Sequence, residues 1–425
     1  MKRASIAIVL SLLFATLVAG IFILIVYFDR PDIVRGDYAS IENYLTQNLQ
    51  RAADERALGC AGLVLVENGK VYSKKCFGRS SKDKECSSER SLFTVASVSK
   101  AATALGALVL VEKNLVGLDE PILSHLTRWK FPGSEKALST RVTMRNLLSH
   151  TGGMVDGFGT GGFPLDSAIQ SLTQYLDNPM YTNMGTAHPT IVTMEPGKNF
   201  AYSTMGYAVL QLMIEDRLGI PFHVFMRDSV FGPLQIARSS YDFDEIISRG
   251  DAQQLVSNYD ESLSEHPHTR HASQAGAALK LTVEDMGRLI CAFVENPLLD
   301  ETLLSEMLRP QPGTFGSWGL GLELYGKDRS IGGHGGGAFP RSGASLRVNP
   351  KTGNGIGIMM AGGREMIDPH INAWMYWETG ESPFDIRQVL HQHGKAALII
   401  VILGVAGIFF FQMRNRDKPT RFRNR

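Results

Sequence analysis

The residues Ser97 and Lys100 are the first place in this sequence where residue type and spacing suggest chemistry. A serine becomes a nucleophile only when a base removes its hydroxyl proton, and a lysine three residues later lies on the same face of a helix. From Val98 to Val111 the other side chains are almost all apolar, which predicts a helix that is buried on every side. Burial lowers the pKa of a lysine amine, so Lys100 could accept the proton.

The spacing alone does not separate a catalytic pair from coincidence. A second Ser-x-x-Lys, from Ser81 to Lys84, stands in the polar run SSKDKECSSE, which is typical of a solvated loop. The pair at Ser97 differs because an apolar helix begins there. Its interpretation as a catalytic pair therefore depends on the rest of the chain.

The elements that must position this pair predict an α+β fold. Residues 38–58 have the pattern of an amphipathic helix, and GCAGLVLVENGKVYSKKCFG predicts a hairpin with an Asn-Gly turn. Residues 117–308 are mostly helical patterns and loops, residues 317–363 contain four strand-like stretches, and residues 371–380 predict a closing helix. Strands at both ends indicate an antiparallel β-sheet flanked by helices, with an inserted, mostly helical subdomain.

Two uncharged apolar segments, residues 4–28 and 396–413, predict one transmembrane helix at each end. A cleaved signal peptide is disfavoured for the first, because the segment is long and no A-x-A-like site follows it. The flanking Lys and Arg residues predict a bacterial inner membrane location, with both termini in the cytoplasm and the domain between them in the periplasm. The predicted domains are an anchor (1–28), an exported domain (29–395, with sheet at about 38–95 and 310–385 and helices at about 96–309), a second span (396–413) and a basic tail (414–425).

Charge and cysteine content restrict the partners. The chain has a formal net charge of +1, and because its two ends are basic the exported part is acidic, which argues against a nucleic-acid partner. The basic tail and the two spans predict contact with membrane lipids.

An exported domain permits disulfides, and Cys76 with Cys86 is the favoured pair, with Cys60 as its competitor. A two-residue turn would place Ala61 opposite Cys76, and no spacing indicates a metal site.

Five stretches follow the order found in one superfamily. They are SLFTVASVSK (91–100), LDEP (118–121), TMRNLLSHTGG (143–153), PGKNFAYSTMGY (196–207) and GHGGG (333–337). Together they resemble the serine β-lactamase and penicillin-binding protein superfamily, in the branch of class C β-lactamases, D-Ala-D-Ala carboxypeptidases and family VIII carboxylesterases. The resemblance covers nearly all of the exported part.

The resemblance implies a catalytic group and an oxyanion and substrate-binding group, with no metal and no cofactor. The catalytic group is Ser97, Lys100 and Tyr202; the oxyanion and substrate-binding group is Ser97, Thr204, His334, Gly335, Gly336 and Gly337. Tyr202 would relay a proton, and the N–H groups of Ser97 and Gly337 would bind the oxyanion. His150 is expected to be part of the scaffold.

Two positions depart from the pattern of the superfamily. Thr204 stands where an Asn is usual, and Gly335 stands where a Thr or Ser helps to bind the carboxylate of a β-lactam or D-Ala-D-Ala substrate. Arg341 is nearby in sequence and could replace that contact. We therefore expect a membrane-anchored serine hydrolase that cleaves small-molecule or peptide esters or amides through an acyl-enzyme, with a preference for esters. The alternatives are a D,D-peptidase or β-lactamase, and a membrane sensor or scaffold that signals by acylation.

Three further patterns are weaker. Lys351-Thr352-Gly353 spells the third box of penicillin-binding proteins, but its neighbours NP and NG predict a hairpin turn. The G-x-G-x-x-G at 157–162 follows no apolar strand and is interpreted as a cleft loop. The histidines at 266, 268 and 271 lack a carboxylate or cysteine at a metal-binding spacing.

Overall fold

The computed structural model describes residues 33–133, 136–154, 161–180 and 189–381. The chain divides into a compact unit, Asp37–Trp374, and a second unit formed by residues 1–36 and 375–425. Within the described part of the second unit, Thr379 Oγ1 donates to Met375 O at 2.8 Å in the last turn of the closing helix. The residues of interest belong to the first unit.

The described residues form short and long elements in the following order. The strands are β1 Cys60–Glu67, β2 Lys70–Ser81, β3 Lys84–Glu85, β4 Phe93–Thr94, β5 Phe163–Pro164, β6 Asn258–Tyr259, β7 Glu265–His266, β8 Thr269–Arg270, β9 Lys280–Leu281, β10 Glu323–Tyr325, β11 Ile331–Ala338, β12 Ser342–Asn349 and β13 Asn354–Ala361. The α-helices are Tyr38–Asp54, Ser99–Glu112, Lys136–Ser139, Met144–Leu148, Leu172–Asp177, Thr204–Leu218, Phe222–Phe225, Phe243–Ser248, Gln274–Ala277, Val283–Cys291, Glu301–Met307 and Ile367–Thr379. Short 3₁₀ turns cover Ala96–Val98, Ile122–Ser124, Ala252–Gln254 and Arg364–Met366, and Met226–Phe231 is a π-helical turn.

The main antiparallel sheet joins the two ends of the domain. Its strand order is β10-β11-β12-β13-β1-β2-β3, so the early hairpin completes a sheet that the late strands begin. Strand β1 pairs along its length with β13 and is buried except at its last residue. Such a strand needs apolar side chains on both faces, which is what the run CAGLVLV supplies. This arrangement confirms the α+β prediction.

Glycines allow a helix to pack closely on one face of this sheet. An added Cβ on Gly62 of β1 would lie 2.5 Å from Val283, and one on Gly357 of β13 would lie 2.5 Å from Met286. Both contacts are with the helix Val283–Cys291, whose own Gly287 would meet Val64 at 2.9 Å. The strand glycines therefore permit a close helix–sheet contact.

The hairpin turn forms as predicted, but its register differs from the prediction. Asn68 and Gly69 have φ angles of +50° and +74°, as a type I′ turn requires. An irregularity between Leu65 and Val66 shifts the pairing by one residue, so Gly62 and not Ala61 lies opposite Cys76. The prediction of Ala61 was wrong because a β-bulge inserts a residue that turn geometry alone does not reveal.

The Cys76–Cys86 disulfide forms, and Cys60 keeps a thiol. The Cys60 sulfur lies 2.7 Å from that of Cys86, so all three sulfurs are close together although their sequence spacing suggested no cluster. Burial raises the pKa of the Cys60 thiol well above its usual value. Cys60 is therefore protonated and poorly reactive at neutral pH.

Two sequence predictions need correction. Within the ranges that the structure describes, no helix is both long enough and apolar enough to cross a membrane, which contradicts the prediction of a fold with a transmembrane helix at each end. The segments predicted to span, residues 4–28 and 396–413, lie outside the described residues. The predicted strand around 317–326 is limited to Glu323–Tyr325, because Gly321, with a φ of +77°, interrupts the apolar run.

Candidate active site

The nucleophile candidate lies on a turn that leads into the most buried helix of the fold. Ser97 is half-buried on the 3₁₀ turn Ala96–Val98, and Lys100 stands in the first turn of the helix Ser99–Glu112 with no exposed surface. The distance from Lys100 Nζ to Ser97 Oγ is 3.2 Å. Ala96 has a φ of +47°, a left-handed conformation that is rare for a residue with a Cβ and typical of functional sites.

A backbone carbonyl holds the amine of Lys100 in place. Lys100 Nζ donates to Gly276 O at 2.8 Å, and Gly276 belongs to the short helix Gln274–Ala277. The buried Gln211 supports that helix, since its Oε1 accepts from the N–H groups of Gln274 and Ala275 at 2.7 and 3.1 Å. These bonds position the amine beside Ser97 Oγ.

Aromatic rings form the wall next to the amine. Lys100 Nζ lies 5.0 Å from the centre of the Tyr202 ring. The His150 ring stacks on Tyr202 with centroids 4.2 Å apart, and Trp318 meets both rings edge-on. Ser203 N donates to His150 Nδ1 at 3.1 Å, and burial lowers the pKa of His150 well below its usual value, with Lys100 adding to the effect. A neutral His150 therefore orients Tyr202 without adding charge.

The other wall is the second half of β11. Strand β10 pairs with β11 only as far as Gly333, so residues 334–338 form an edge that faces the turn carrying Ser97. A Cβ added to Gly336 would lie 2.3 Å from Val95 O and 2.7 Å from Ser97 N. Only glycine permits this approach. The backbone of β11 therefore lies directly against the N–H of Ser97, where an oxyanion would be bound.

His334 is neutral in this environment. It is 3 % exposed, its Nδ1 donates to Gly335 O at 2.6 Å, and burial, with the charge of Lys100, lowers its pKa to about 3. The desolvation of a charged imidazole makes the protonated form unfavourable at this position. His334 lies near Tyr202, with ring centroids 6.3 Å apart.

The two positions that depart from the superfamily pattern have different surroundings. The Thr204 hydroxyl is buried and has no hydrogen-bond partner among the described residues, and a Cβ on Gly335 would have nothing within 4 Å. Arg341, which could have replaced the missing hydroxyl, bonds Glu365 instead. Arg364 is the guanidinium beside the strand edge, because a Cβ on Gly337 would lie 2.2 Å from its Cζ.

The three weaker sequence patterns have different positions in the structure. Residues 351–353 form the turn between β12 and β13, as predicted. Residues 157–160 of the G-x-G-x-x-G are outside the described residues. His266 bonds the carboxylate of Asp260, and all three histidines, at 266, 268 and 271, line the cleft next to Ser97.

The structure thus brings the predicted residues together at one site, which contains Ser97, Lys100, Tyr202, Thr204, His334 and the glycines of β11. It also adds residues that the sequence did not indicate. The carbonyl of Gly276 and the amide of Gln211 carry no pattern of their own. Trp318 also gave no signal, because a lone tryptophan in a strand-like stretch is usually a core residue. His150 was expected to be part of the scaffold, and in the structure its ring stacks on Tyr202 and so supports that side chain.

This arrangement can transfer an acyl group. The Ser97 oxygen can attack a carbonyl while its proton passes to the amine of Lys100, and the carbonyl oxygen then carries negative charge next to the Ser97 N–H. The leaving group takes up the proton, and the resulting ester on Ser97 is cleaved when water repeats the same steps.

Comparison with known proteins places this geometry in context. A family model described as Beta-lactamase matches residues 45–376. Penicillin-binding protein 4* of Bacillus subtilis (strain 168) is 32% identical over 174 residues, which are 40% of this chain and 36% of that protein, so the match spans about a third of the relative's length.

Two solved structures show the same fold. The octameric penicillin-binding protein homologue from Pyrococcus abyssi has a TM-score of 0.61 at 18% identity, covering 82% of this chain and 79% of that one. The D-amino acid amidase from Ochrobactrum anthropi SV3 has a TM-score of 0.61 at 21% identity, covering 78% of this chain and 98% of that one. At these identities the likeness concerns the fold.

Proposed function

Because this chain belongs to the beta-lactamase family, we propose that it is a serine hydrolase that cleaves esters or amides through an acyl-enzyme on Ser97. The observation that carries the proposal is the 3.2 Å contact between Lys100 Nζ and Ser97 Oγ. It stands at the mouth of a cleft of about 690 Å³ that is lined by Ser97. A nucleophile, an amine and an oxyanion donor at one point are the minimum that acyl transfer requires.

The departures from the superfamily pattern favour esters. Gly335 offers no hydroxyl to a substrate carboxylate, His334 is neutral, and Arg341 is engaged by Glu365. Thr204 presents one hydroxyl where an amide would bond both the lysine and a substrate amide carbonyl. Substrates that depend on those contacts lose binding energy, whereas an activated ester needs only the nucleophile and the oxyanion site.

The experiment compares short p-nitrophenyl esters with nitrocefin and a D-Ala-D-Ala peptide, using the purified full chain. We expect ester hydrolysis to be the fastest and Ser97→Ala to abolish it. The matched control is Ser81→Ala, which changes the other Ser-x-x-Lys of the chain, on β2. Loss of activity in both variants, or in neither, would contradict the assignment of Ser97.

Other results would select the alternatives. Nitrocefin or peptide turnover without ester hydrolysis would indicate a β-lactamase or D,D-peptidase, for which the similarity to penicillin-binding protein 4* is the supporting observation. Stable acylation of Ser97 without turnover, detected by mass spectrometry, would indicate a sensor.

We also propose that the domain works in an oxidising compartment outside the cytoplasm. The Cys76–Cys86 disulfide supports this, since such bonds persist in exported proteins. Thiol alkylation at harvest should modify Cys291 and leave Cys76 and Cys86 unmodified; alkylation of both would refute the location.

A further inference from the structure

The cleft continues past Ser97 into a chamber that the acyl-transfer groups do not occupy. Its far walls are the end of β11 with the two residues that follow it, from Gly337 to Pro340, the segment around β5, and the segment His266–His271. Tyr202, His334 and Gly335 do not line this chamber. The chamber therefore extends away from the strand edge where relatives in the superfamily bind a carboxylate.

Lys280 is the buried cation of this chamber. It lies on β9, where it pairs with Thr94 of β4 and forms a bridge with Ser240, and only 4 % of its surface is exposed. Its backbone N–H and C=O bond Ser240, and among the described residues neither a hydrogen bond nor a carboxylate offsets the desolvation of its side-chain amine. A lysine that is almost wholly buried and forms no ion pair within the described residues is unfavourable unless its ammonium meets water or a ligand in the chamber.

Two histidines lie near Lys280 in the chamber wall, and the carboxylate of Asp166 belongs to the lining of the same chamber. His268 and His271 line the same wall, and burial, with Lys280 as the second cause, lowers their pKa values to about 4 and about 3. The Nδ1 atom of His271 is buried and has no partner in the described structure. Burial also lowers the pKa of Lys280 to about 8, with no carboxylate opposing it. Among the described residues, the chamber lining therefore contains one lysine, Lys280, one carboxylate, Asp166, and a polar atom without a partner, His271 Nδ1.

Lys280 is within reach of a substrate bound at Ser97. Thr94 is the partner of Lys280 in the β4–β9 ladder and stands three residues before the nucleophile. Paired Cα atoms are about 5 Å apart and three residues span at most about 10 Å, so the two Cα atoms are within about 15 Å. A short acyl chain together with the lysine side chain can bridge that distance.

We propose that Lys280 binds an anionic group, a carboxylate in the first instance, on the acyl part of the substrate. The natural substrates would then be esters or amides of short dicarboxylic or similarly anionic acids. This inference rests on the proposed hydrolase function, because the anion must belong to a molecule whose carbonyl reaches Ser97. On this proposal, Lys280 of β9 binds the substrate carboxylate, and the position of Gly335 does not.

The test compares p-nitrophenyl half-esters of succinate, glutarate, adipate and pimelate with the neutral methyl esters of the same acids. The readout is the ratio of kcat/KM for the anionic ester to that for the neutral ester of the same length. We expect one chain length to be preferred, and Lys280→Met to lower the ratio by roughly 10- to 100-fold, as expected for a lost hydrogen bond to a charged group. Lys280→Arg should retain part of the ratio, and Lys351→Met, which removes an exposed lysine from the β12–β13 turn, should leave it unchanged.

A binding measurement separates this proposal from the proposed function. Glutarate should raise the melting temperature of Ser97→Ala and should not raise that of Ser97→Ala with Lys280→Met. If no ester is hydrolysed but this difference is seen, the anion site stands and the hydrolase proposal fails. If neutral esters are hydrolysed and neither the ratio nor the melting temperature depends on Lys280, the anion site is refuted and the hydrolase proposal stands.

Discussion

Replacing Gly336 by alanine tests whether the backbone of β11 forms part of the oxyanion site. The new Cβ would lie 2.3 Å from Val95 O, 2.7 Å from Ser97 N and 3.0 Å from Val98 N, whereas ordinary contacts begin at 3.4 Å. All three atoms belong to the backbone, so no side chain can move aside. The strand and the nucleophile turn must separate by about 1 Å, and a misplacement of that size costs about 100-fold in rate.

The expected loss concerns turnover more than folding. Displacing the Ser97 N–H from the oxyanion lowers kcat by about 100- to 1,000-fold, and the overpacking lowers the free energy of unfolding by about 1–3 kcal/mol. KM should change little, because the contact strengthens in the transition state. Steady-state kinetics with the fastest p-nitrophenyl ester, together with thermal melting, give both quantities.

The matched control is the neighbouring residue of the same strand. A Cβ on Gly335 meets nothing within 4 Å, so Gly335→Ala should keep kcat within about threefold and unfold at nearly the wild-type temperature. If Gly336→Ala is as active as Gly335→Ala while remaining folded, β11 does not lie against Ser97 N and the account of the oxyanion site is refuted.

Three further predictions concern the same cleft. Gly335→Thr should fit into open space and raise nitrocefin turnover relative to ester turnover; an unchanged ratio would show that this hydroxyl does not govern the preference. The pKa of His334 is about 3 in the fold, so its contribution to stability is complete above pH 6.5 and is lost as the pH falls towards 3. Urea unfolding of the wild type should therefore lose about 2 kcal/mol more than His334→Gln between pH 7.5 and pH 5, and equal losses would contradict a neutral, buried ring. Gln211→Met leaves the N–H groups of Gln274 and Ala275 without an acceptor, which should lower the free energy of unfolding by about 2–4 kcal/mol. It should also lower kcat, because the helix that holds the amine of Lys100 is then less well supported. A variant with the kcat and pH profile of the wild type would show that Gln211 does not position the amine.

Local patterns in the sequence were sufficient to predict the elements whose conformation depends on neighbouring residues. The Asn-Gly turn has the dihedral angles that its residues favour, and the largely apolar run after Val98 forms a helix buried on every side. The α+β order followed from strand-like and helix-like segments. The spacing of Ser97 and Lys100 was also informative, because residues three apart in a helical turn are neighbours whatever the rest of the chain does.

Other features depended on residues far apart in the chain. The bulge at Leu65, the carbonyl of Gly276 beside Lys100 and the neutral state of His334 arise from packing, hydrogen bonding and burial among separate segments. Lys280 is the plainest case, since nothing adjacent to it in sequence indicates that it is buried beside the nucleophile. Sequence by itself determined which local conformations and reactive groups this protein has; only the tertiary structure decided their desolvation and their partners, because both depend on contacts between segments distant in the chain.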